Sequence, residues 1–213
     1  MGILKSQLRL YLVTDPALCG DMGVVETVQR AVAGGVTMVQ LRDKHATTAQ
    51  RTDLALALKA ALKGTGVPLV INDDVLAAVA TDADGAHIGQ SDISAEQTRA
   101  LLGPGKILGL SCENLQTVRD ADPALVDYLG LGPVFGTATK SDHGCPIGFD
   151  GLAQLVALSS LPNVAIGGLK PDHIEDILAT GADGMAVVSA ICGQSDPCIA
   201  ARAFDTFKPC SSP

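Results

Sequence analysis

Short apolar runs recur along the whole chain, each followed by a polar loop and then by an amphipathic stretch. Strands are predicted over residues 8–13, 37–41, 68–71, 85–88, 107–110, 127–131, 163–166 and 184–188, and helical spacing between them over 24–33, 48–62, 95–102 and 172–179. Strands with little polar character need both faces covered, the condition of a parallel sheet wrapped by helices. About eight such units, with no separate cluster of strands, predict an α/β fold: a closed (β/α)8 TIM barrel forming a single domain over residues 1–213, with a short frayed tail beyond Phe207. Several strands begin through similar turns, A-G-G-V-T at 33–37, D-A-D-G at 82–85 and G-A-D-G at 181–184, weak internal echoes of one βα unit. A doubly wound sheet is the alternative. It ordinarily carries G-x-G-x-x-G after its first strand, where this chain reads Thr14-Asp15-Pro16.

The 213 residues are 47% hydrophobic, enough apolar material for one such core. The formal net charge of -8 argues against nonspecific nucleic-acid binding, so any anion must be held by a few well-placed Lys and Arg. The six cysteines, at 19, 112, 145, 192, 198 and 210, show no C-x-x-C spacing and follow no signal peptide. They are read as reduced thiols of a cytoplasmic protein, with a structural zinc site not expected. No apolar run reaches membrane-spanning length, so no membrane is expected as a partner.

In a barrel the chemistry lies where strands end, at their C-terminal rim, and polar residues gather at those positions. The second strand runs M-V-Q-L-R-D-K; alternation puts Gln40 and Arg42 on one face, with Lys44 just beyond. A guanidinium beside a barrel core needs a partner, either phosphate oxygens or a neighbouring carboxylate. The third strand ends in Asn72-Asp73-Asp74, of which one is expected to cap the following helix, and Asp92 follows the fourth strand. Two carboxylates from adjacent strand ends, with a diphosphate nearby, suit Mg2+. His87, mid-strand, reads as a satisfied core histidine. Ser111 and Cys112 close the fifth strand; no His-Asp pair is placed to activate Ser111 as a nucleophile, and Cys112 reads as packing.

The sixth strand, from Tyr128 to Leu131, opens into G-P-V-F-G-T-A-T-K. Thr137, Thr139 and Lys140 place two hydroxyls and a cation within four residues, among glycines that allow close backbone approach, so a phosphorylated small molecule is the expected guest. Gly167 and Gly168 after the seventh strand, with Val188 and Ser189 at the end of the eighth, occupy the usual phosphate-binding position of such barrels, where a helix N-terminus follows. His45, His143 and His173 carry no strong reading.

The motifs Y-L-V-T-D, Q-L-R-D-K, I-N-D-D, H-I-G-Q-S-D, G-L-S, G-P-V-F-G-T-A-T-K, A-I-G-G and V-V-S-A-I resemble, in order and spacing, the thiamine-phosphate synthase family, over about Leu10 to Ile191. The resemblance implies a Mg2+-dependent transferase that joins 4-amino-2-methyl-5-hydroxymethylpyrimidine diphosphate to a thiazole phosphate and releases pyrophosphate. It implies dissociative chemistry, in which a pyrimidine methylene cation is captured by the thiazole nitrogen. By the same resemblance Gln40, Arg42, Lys44 and Asn72, with Ser111 and Lys140, are the pyrimidine-diphosphate set, of which Arg42, Lys44, Ser111 and Lys140 are the catalytic members. Asp73 and Asp92 are the metal ligands, and Thr137, Thr139, Gly168, Val188 and Ser189 form the thiazole-phosphate site. Gly136, Cys112, Leu169 and Lys170 depart from the usual pattern without removing a ligand. Two alternatives stand beside this one: a thiazole tautomerase on the same barrel, which needs neither Mg2+ nor a diphosphate site, and a catalytically silent barrel that binds phosphorylated metabolites. A homo-oligomer is left open.

Overall fold

A computed structural model describes residues 3–137 and 145–204. Eight strands, β1 (Leu10–Val13), β2 (Met38–Leu41), β3 (Leu69–Asn72), β4 (Gly85–Ile88), β5 (Ile107–Cys112), β6 (Tyr128–Leu131), β7 (Asn163–Ile166) and β8 (Met185–Val187), form a closed barrel in sequence order. Every pair is parallel, and β1 against β8 closes the ring through Leu10, Tyr11 and Leu12 opposite Met185, Ala186 and Val187. The barrel predicted from the eightfold pattern is therefore the observed one, and the doubly wound alternative is excluded. Four strands, β1, β2, β6 and β8, are one or two residues shorter than expected, β5 is two residues longer and the rest keep their expected length; residue 8, for instance, belongs to a 3-10 turn, Lys5–Leu8.

The helices are α1 (Pro16–Cys19), α2 (Gly23–Ala33), α3 (Thr48–Leu62), α4 (Val75–Ala80), α5 (Ala95–Leu102), α6 (Leu115–Arg119), α7 (Gly148–Leu158), α8 (Ile174–Ala179) and α9 (Pro197–Arg202). Their starts follow from local chemistry. Asp15 accepts from Leu18 N at 3.1 Å with Pro16 in the first helical position, so Thr14-Asp15-Pro16 is a helix start. Thr47 with Gln50, and Ser94 with Gln97, form capping boxes. Asp74 caps α4 by accepting from Ala77 N at 2.9 Å, so one of the three Asx residues at the end of β3 is spent on structure.

Side chains that alternate along the strands separate two buried layers. Leu8, Tyr11, Val13, Met38, Val70, Ile107, Tyr128, Val164 and Ala186 fill the barrel interior. Leu12, Val39, Leu41, Ile71, Ile88, Leu108, Leu129 and Ala165 face outward onto Val28, Leu58, Leu155 and Ile177 of the helices. Each fully buried aliphatic side chain contributes about 1.5–3 kcal/mol, so the second layer holds the helices to the ring.

The similar turns noted in the sequence have a structural cause. Thr37 Oγ1, Asp84 Oδ2, Asp127 Oδ2 and Asp183 Oδ2 stand before the even-numbered strands and accept from the first free N–H groups of the odd-numbered ones, Leu10, Leu69, Leu108 and Asn163, at 2.8–3.0 Å. These N–H groups lie at the bottom of the barrel with no preceding strand residue to pair them, and a buried donor left unpaired is costly. Arg99 reinforces one such joint, reaching Asp127 Oδ2 at 2.7 Å and the carbonyls of Leu125 and Lys106.

Asp127→Ala strips both Leu108 N–H and Arg99 of their partner and is expected to cost about 1–3 kcal/mol. Asp127→Asn, which keeps the acceptor for Leu108, should cost less. Urea unfolding of the two variants measures the difference.

Candidate active site

Because all eight strands run the same way, their C-terminal ends share one rim, and there the predicted residues converge. Gln40 is buried in β2, facing inward. Arg42 follows, and its backbone is clamped by buried Thr14, whose Oγ1 accepts from Arg42 N at 3.0 Å and donates to Arg42 O at 3.3 Å. The next loop is braced by Arg51, which donates to Asp43 O at 3.2 Å and Ala46 O at 2.6 Å and pairs with the helix cap Asp74. Burial works against ionisation of Asp74, but Ala77 N–H, Thr48 and Arg51 outweigh it and hold its carboxyl below the usual range.

The guanidinium of Arg42 finds no carboxylate among the described residues, and its Nη2 is buried with no hydrogen-bond partner. Of the two partners open to Arg42 in the sequence, the salt bridge is thus not made among the described residues. A buried cationic N–H left unpaired is unfavourable, and an anionic oxygen is the partner that satisfies it.

Asp73 sits on the same rim in the left-handed region, φ 60°, an uncommon conformation outside glycine that Asp tolerates better than most residues. Asp73 N donates to His87 O at 2.9 Å, and Asn72 Nδ2 donates to Asp73 Oδ2 at 2.5 Å. Burial, and then a hydrogen bond and like-charge repulsion with Asp92, push the Asp73 carboxyl up to about 7. Asp92 is held by Gly89 N–H at 2.7 Å. Two carboxylates drawn together in this way, with the field of Arg42 close by, suit a hard divalent cation. Among the described residues no group of three or more His, Cys, Asp and Glu could hold a metal. The two carboxylates would therefore need oxygens from a ligand to complete the shell, as Mg2+ commonly takes them from phosphates.

Beneath this rim lies a hydrogen-bonded chain that strand-end reasoning did not find. Gln40 Nε2 donates to Tyr11 Oη at 2.6 Å, Tyr11 Oη and Tyr128 Oη lie 2.8 Å apart, Tyr128 Oη meets His87 Nδ1 at 2.8 Å, and His87 Nε2 meets Ser111 Oγ at 2.9 Å. His87 is the satisfied core histidine expected, and it is also the partner of Ser111, a contact the sequence reading did not foresee. The other ring nitrogen meets a tyrosine and not a carboxylate, so the arrangement is no Ser-His-Asp triad. The signal was present in the period-2 pattern: Tyr11, Gln40, His87, Ser111 and Tyr128 all fall on inward-facing positions. Cys112 is buried, which pushes its thiol up to about 11, and it donates to Thr117 O at 3.4 Å, consistent with packing.

The second cluster lies across the rim, on the loops after β6, β7 and β8. Val134 N donates to Ile166 O at 2.8 Å and Phe135 N to Gly167 O at 3.0 Å, lacing the first two loops together. Gly168 has φ 63°, and a Cβ there would stand 2.8 Å from Gly136 O, so glycine is required by both conformation and contact. Phe135, Phe149 and His173 pack edge-on and tilted against one another beside it, with ring centroids 4.9–5.9 Å apart. Val188 O accepts from Ile191 N and Cys192 N, and Ser189 opens a run of turns. The next α-helix begins at Pro197, where Asp196 and proline supply the cap and first position. Thr137 borders this region; Thr139, Lys140 and His143 lie outside the described residues.

The rim thus pairs an acidic, cationic half with a glycine-lined half. A family model for thiamine monophosphate synthase matches residues 10–191. The chain belongs to the thiamine monophosphate synthase family. It is 52% identical to the thiamine-phosphate synthase of a Psychrobacter species over 193 residues, covering 89% of this chain and 90% of that one. Identity is also 52% over 197 residues with that of Xanthobacter autotrophicus, covering 92% and 93%. The solved structure of thiamine phosphate pyrophosphorylase from Pyrococcus furiosus superposes with a TM-score of 0.86 at 34% identity, covering 96% and 97%. As a member of the family the chain is an enzyme of thiamine biosynthesis. No helix among the described residues is long and apolar enough to cross a membrane.

Arg42→Met should leave the ligand-free protein no less stable, because it removes a buried donor that has no partner. It should also abolish the rise in melting temperature that inorganic pyrophosphate with Mg2+ produces in the unaltered chain. Thermal melts with and without those ions check both statements.

Proposed function

We propose that this chain condenses 4-amino-2-methyl-5-hydroxymethylpyrimidine diphosphate with a thiazole phosphate in a Mg2+-dependent reaction that yields thiamine phosphate and pyrophosphate. The observation that carries the proposal is the unpartnered Arg42 Nη2 beside the Asp73–Asp92 pair. A cation donor and two crowded acids on one rim are each unsatisfied alone. A metal diphosphate satisfies both at once.

Asp73 and Asp92 would hold the Mg2+, whose chemical contribution is to neutralise charge on the leaving diphosphate. Arg42 and Lys44 would hold diphosphate oxygens, with Asn72 orienting Asp73 through its amide. Gln40 and Ser111 would hold the pyrimidine, and Lys140 would add positive charge from the loop after β6. Departure of pyrophosphate leaves a pyrimidine methylene cation, which needs no covalent nucleophile from the protein. It needs a thiazole nitrogen already in place and water kept out. Thr137, Thr139, Gly168, Val188 and Ser189 would anchor the thiazole phosphate across the barrel mouth. A thiazole tautomerase or a silent binding barrel has no use for the paired acids, so neither alternative is favoured.

Asp92→Ala should lower pyrophosphate release, assayed with both substrates and Mg2+, by about 10²-fold or more while leaving the fold intact by circular dichroism. Full activity in EDTA, or a variant rate equal to that of the unaltered chain at saturating Mg2+, would remove the metal assignment.

A further inference from the structure

The interior of this barrel is not wholly apolar. Gln40, Tyr11, Tyr128, His87 and Ser111 form an unbroken series of hydrogen bonds of 2.6–2.9 Å that crosses the ring from β2 to β5. Space for it is made by glycine. A Cβ on Gly109 would lie 2.2 Å from the Tyr128 ring and 2.4 Å from His87 Nδ1, and one on Gly130 would lie 3.2 Å from His87 Cε1. Two glycines in neighbouring strands, where branched aliphatics ordinarily fill a barrel, are explained by this chain.

The series has a direction. An amide nitrogen donates and cannot accept. With Gln40 Nε2 donating to Tyr11, the Tyr11 hydroxyl proton goes to Tyr128, and the Tyr128 proton goes to His87 Nδ1. That nitrogen must then be bare, so the imidazole carries its proton on Nε2 and donates it to Ser111 Oγ. The serine proton is left to point elsewhere. Turning the Gln40 amide over would reverse each bond and spend the serine proton on His87. Burial raises both tyrosine hydroxyls well above their ordinary range, so they remain protonated links.

We propose that Tyr11, Tyr128 and His87 are positioning residues that transmit the orientation of the Gln40 amide to Ser111, so that the Ser111 hydroxyl is presented as a hydrogen-bond donor to an aminopyrimidine ring. This rests on the reading of the rim as the pyrimidine site. Gln40 keeps Oε1 as an acceptor and Ser111 keeps its O–H as a donor, the complement of a ring that offers an amino group and a ring nitrogen. Reversal would leave Ser111 with lone pairs only, facing a ring nitrogen that also has only a lone pair.

Two measurements test the chain. The first is 15N NMR of histidine-labelled protein, with the His87 signals assigned by their loss in His87→Gln. A neutral ring protonated on Nε2 is expected; a ring protonated on Nδ1, or on both nitrogens, overturns the proposal. The second is steady-state kinetics of Tyr11→Phe, which conserves ring volume and removes one link. KM for the pyrimidine diphosphate should rise about 3- to 10-fold, the value of one neutral hydrogen bond, while KM for the thiazole phosphate stays within about twofold. An unchanged pyrimidine KM, or an equal rise for both substrates, overturns it, the latter being the mark of altered packing. Absence of pyrophosphate release by the unaltered chain would instead sink the reading of the site, and the histidine tautomer would remain measurable on its own.

Discussion

The closure of β1 against β8 is the constraint on which everything else depends. A parallel strand has no partner for its first N–H groups and no freedom to reverse direction, so a ring of eight must solve the same problem at its bottom and exposes the same opportunity at its top. At the bottom, Thr37, Asp84, Asp127 and Asp183 bond to the orphan N–H groups of the preceding strands. At the top, nothing in the sheet uses the residues after each strand, and they are free to carry chemistry. Residues as far apart in sequence as Tyr11 and Tyr128 become neighbours through a core only a few side chains across.

Polar groups in that core must be satisfied completely, because a half-paired network in low dielectric is worse than an apolar one. The series from Gln40 to Ser111 meets this requirement at each of its links. The other interior side chains, among them Leu8, Met38, Val70 and Ile107, are apolar. Rigidity at the rim therefore comes from directional bonds, and stability further down from packing. A loosely packed apolar layer under the site would leave Gln40 and Ser111 free to turn; a fixed chain of donors and acceptors holds them.

Much of this was legible in the sequence because periodicity and position are both local. The strand centres follow from apolar runs, and the rim residues follow from what stands after each run. One cap among Asn72, Asp73 and Asp74, His87 as a core histidine and Cys112 as packing all hold in the structure. The turn echoes were visible as repeats, but their role was not, since an aspartate before a strand does not say which N–H it will meet across the ring. The Tyr11–Tyr128 bond joins residues 117 positions apart, and only barrel closure brings them together. The first α-helix after β8 among the described residues begins at Pro197, where Asp196 supplies the cap.

The charge pattern of the rim is best understood as two incompatible demands with a common solution. The chain carries net charge -8, and an acidic protein could easily have paired Arg42 with a carboxylate. Among the described residues it does not; Asp73 and Asp92 share a proton-dependent contact with each other, and the guanidinium Nη2 has no hydrogen-bond partner. A direct Arg42–Asp73 bridge would stabilise the empty protein and would have to be broken before any diphosphate could bind, so the gain in stability would be subtracted from affinity. Keeping the opposite charges close without joining them leaves each open to an oppositely charged group from outside. A divalent cation relieves the acids and phosphate oxygens relieve the arginine, but either alone brings in charge that the other half of the rim must balance. A metal-bound diphosphate, the ligand proposed above, carries both kinds of charge at once and so answers the acids and the arginine together.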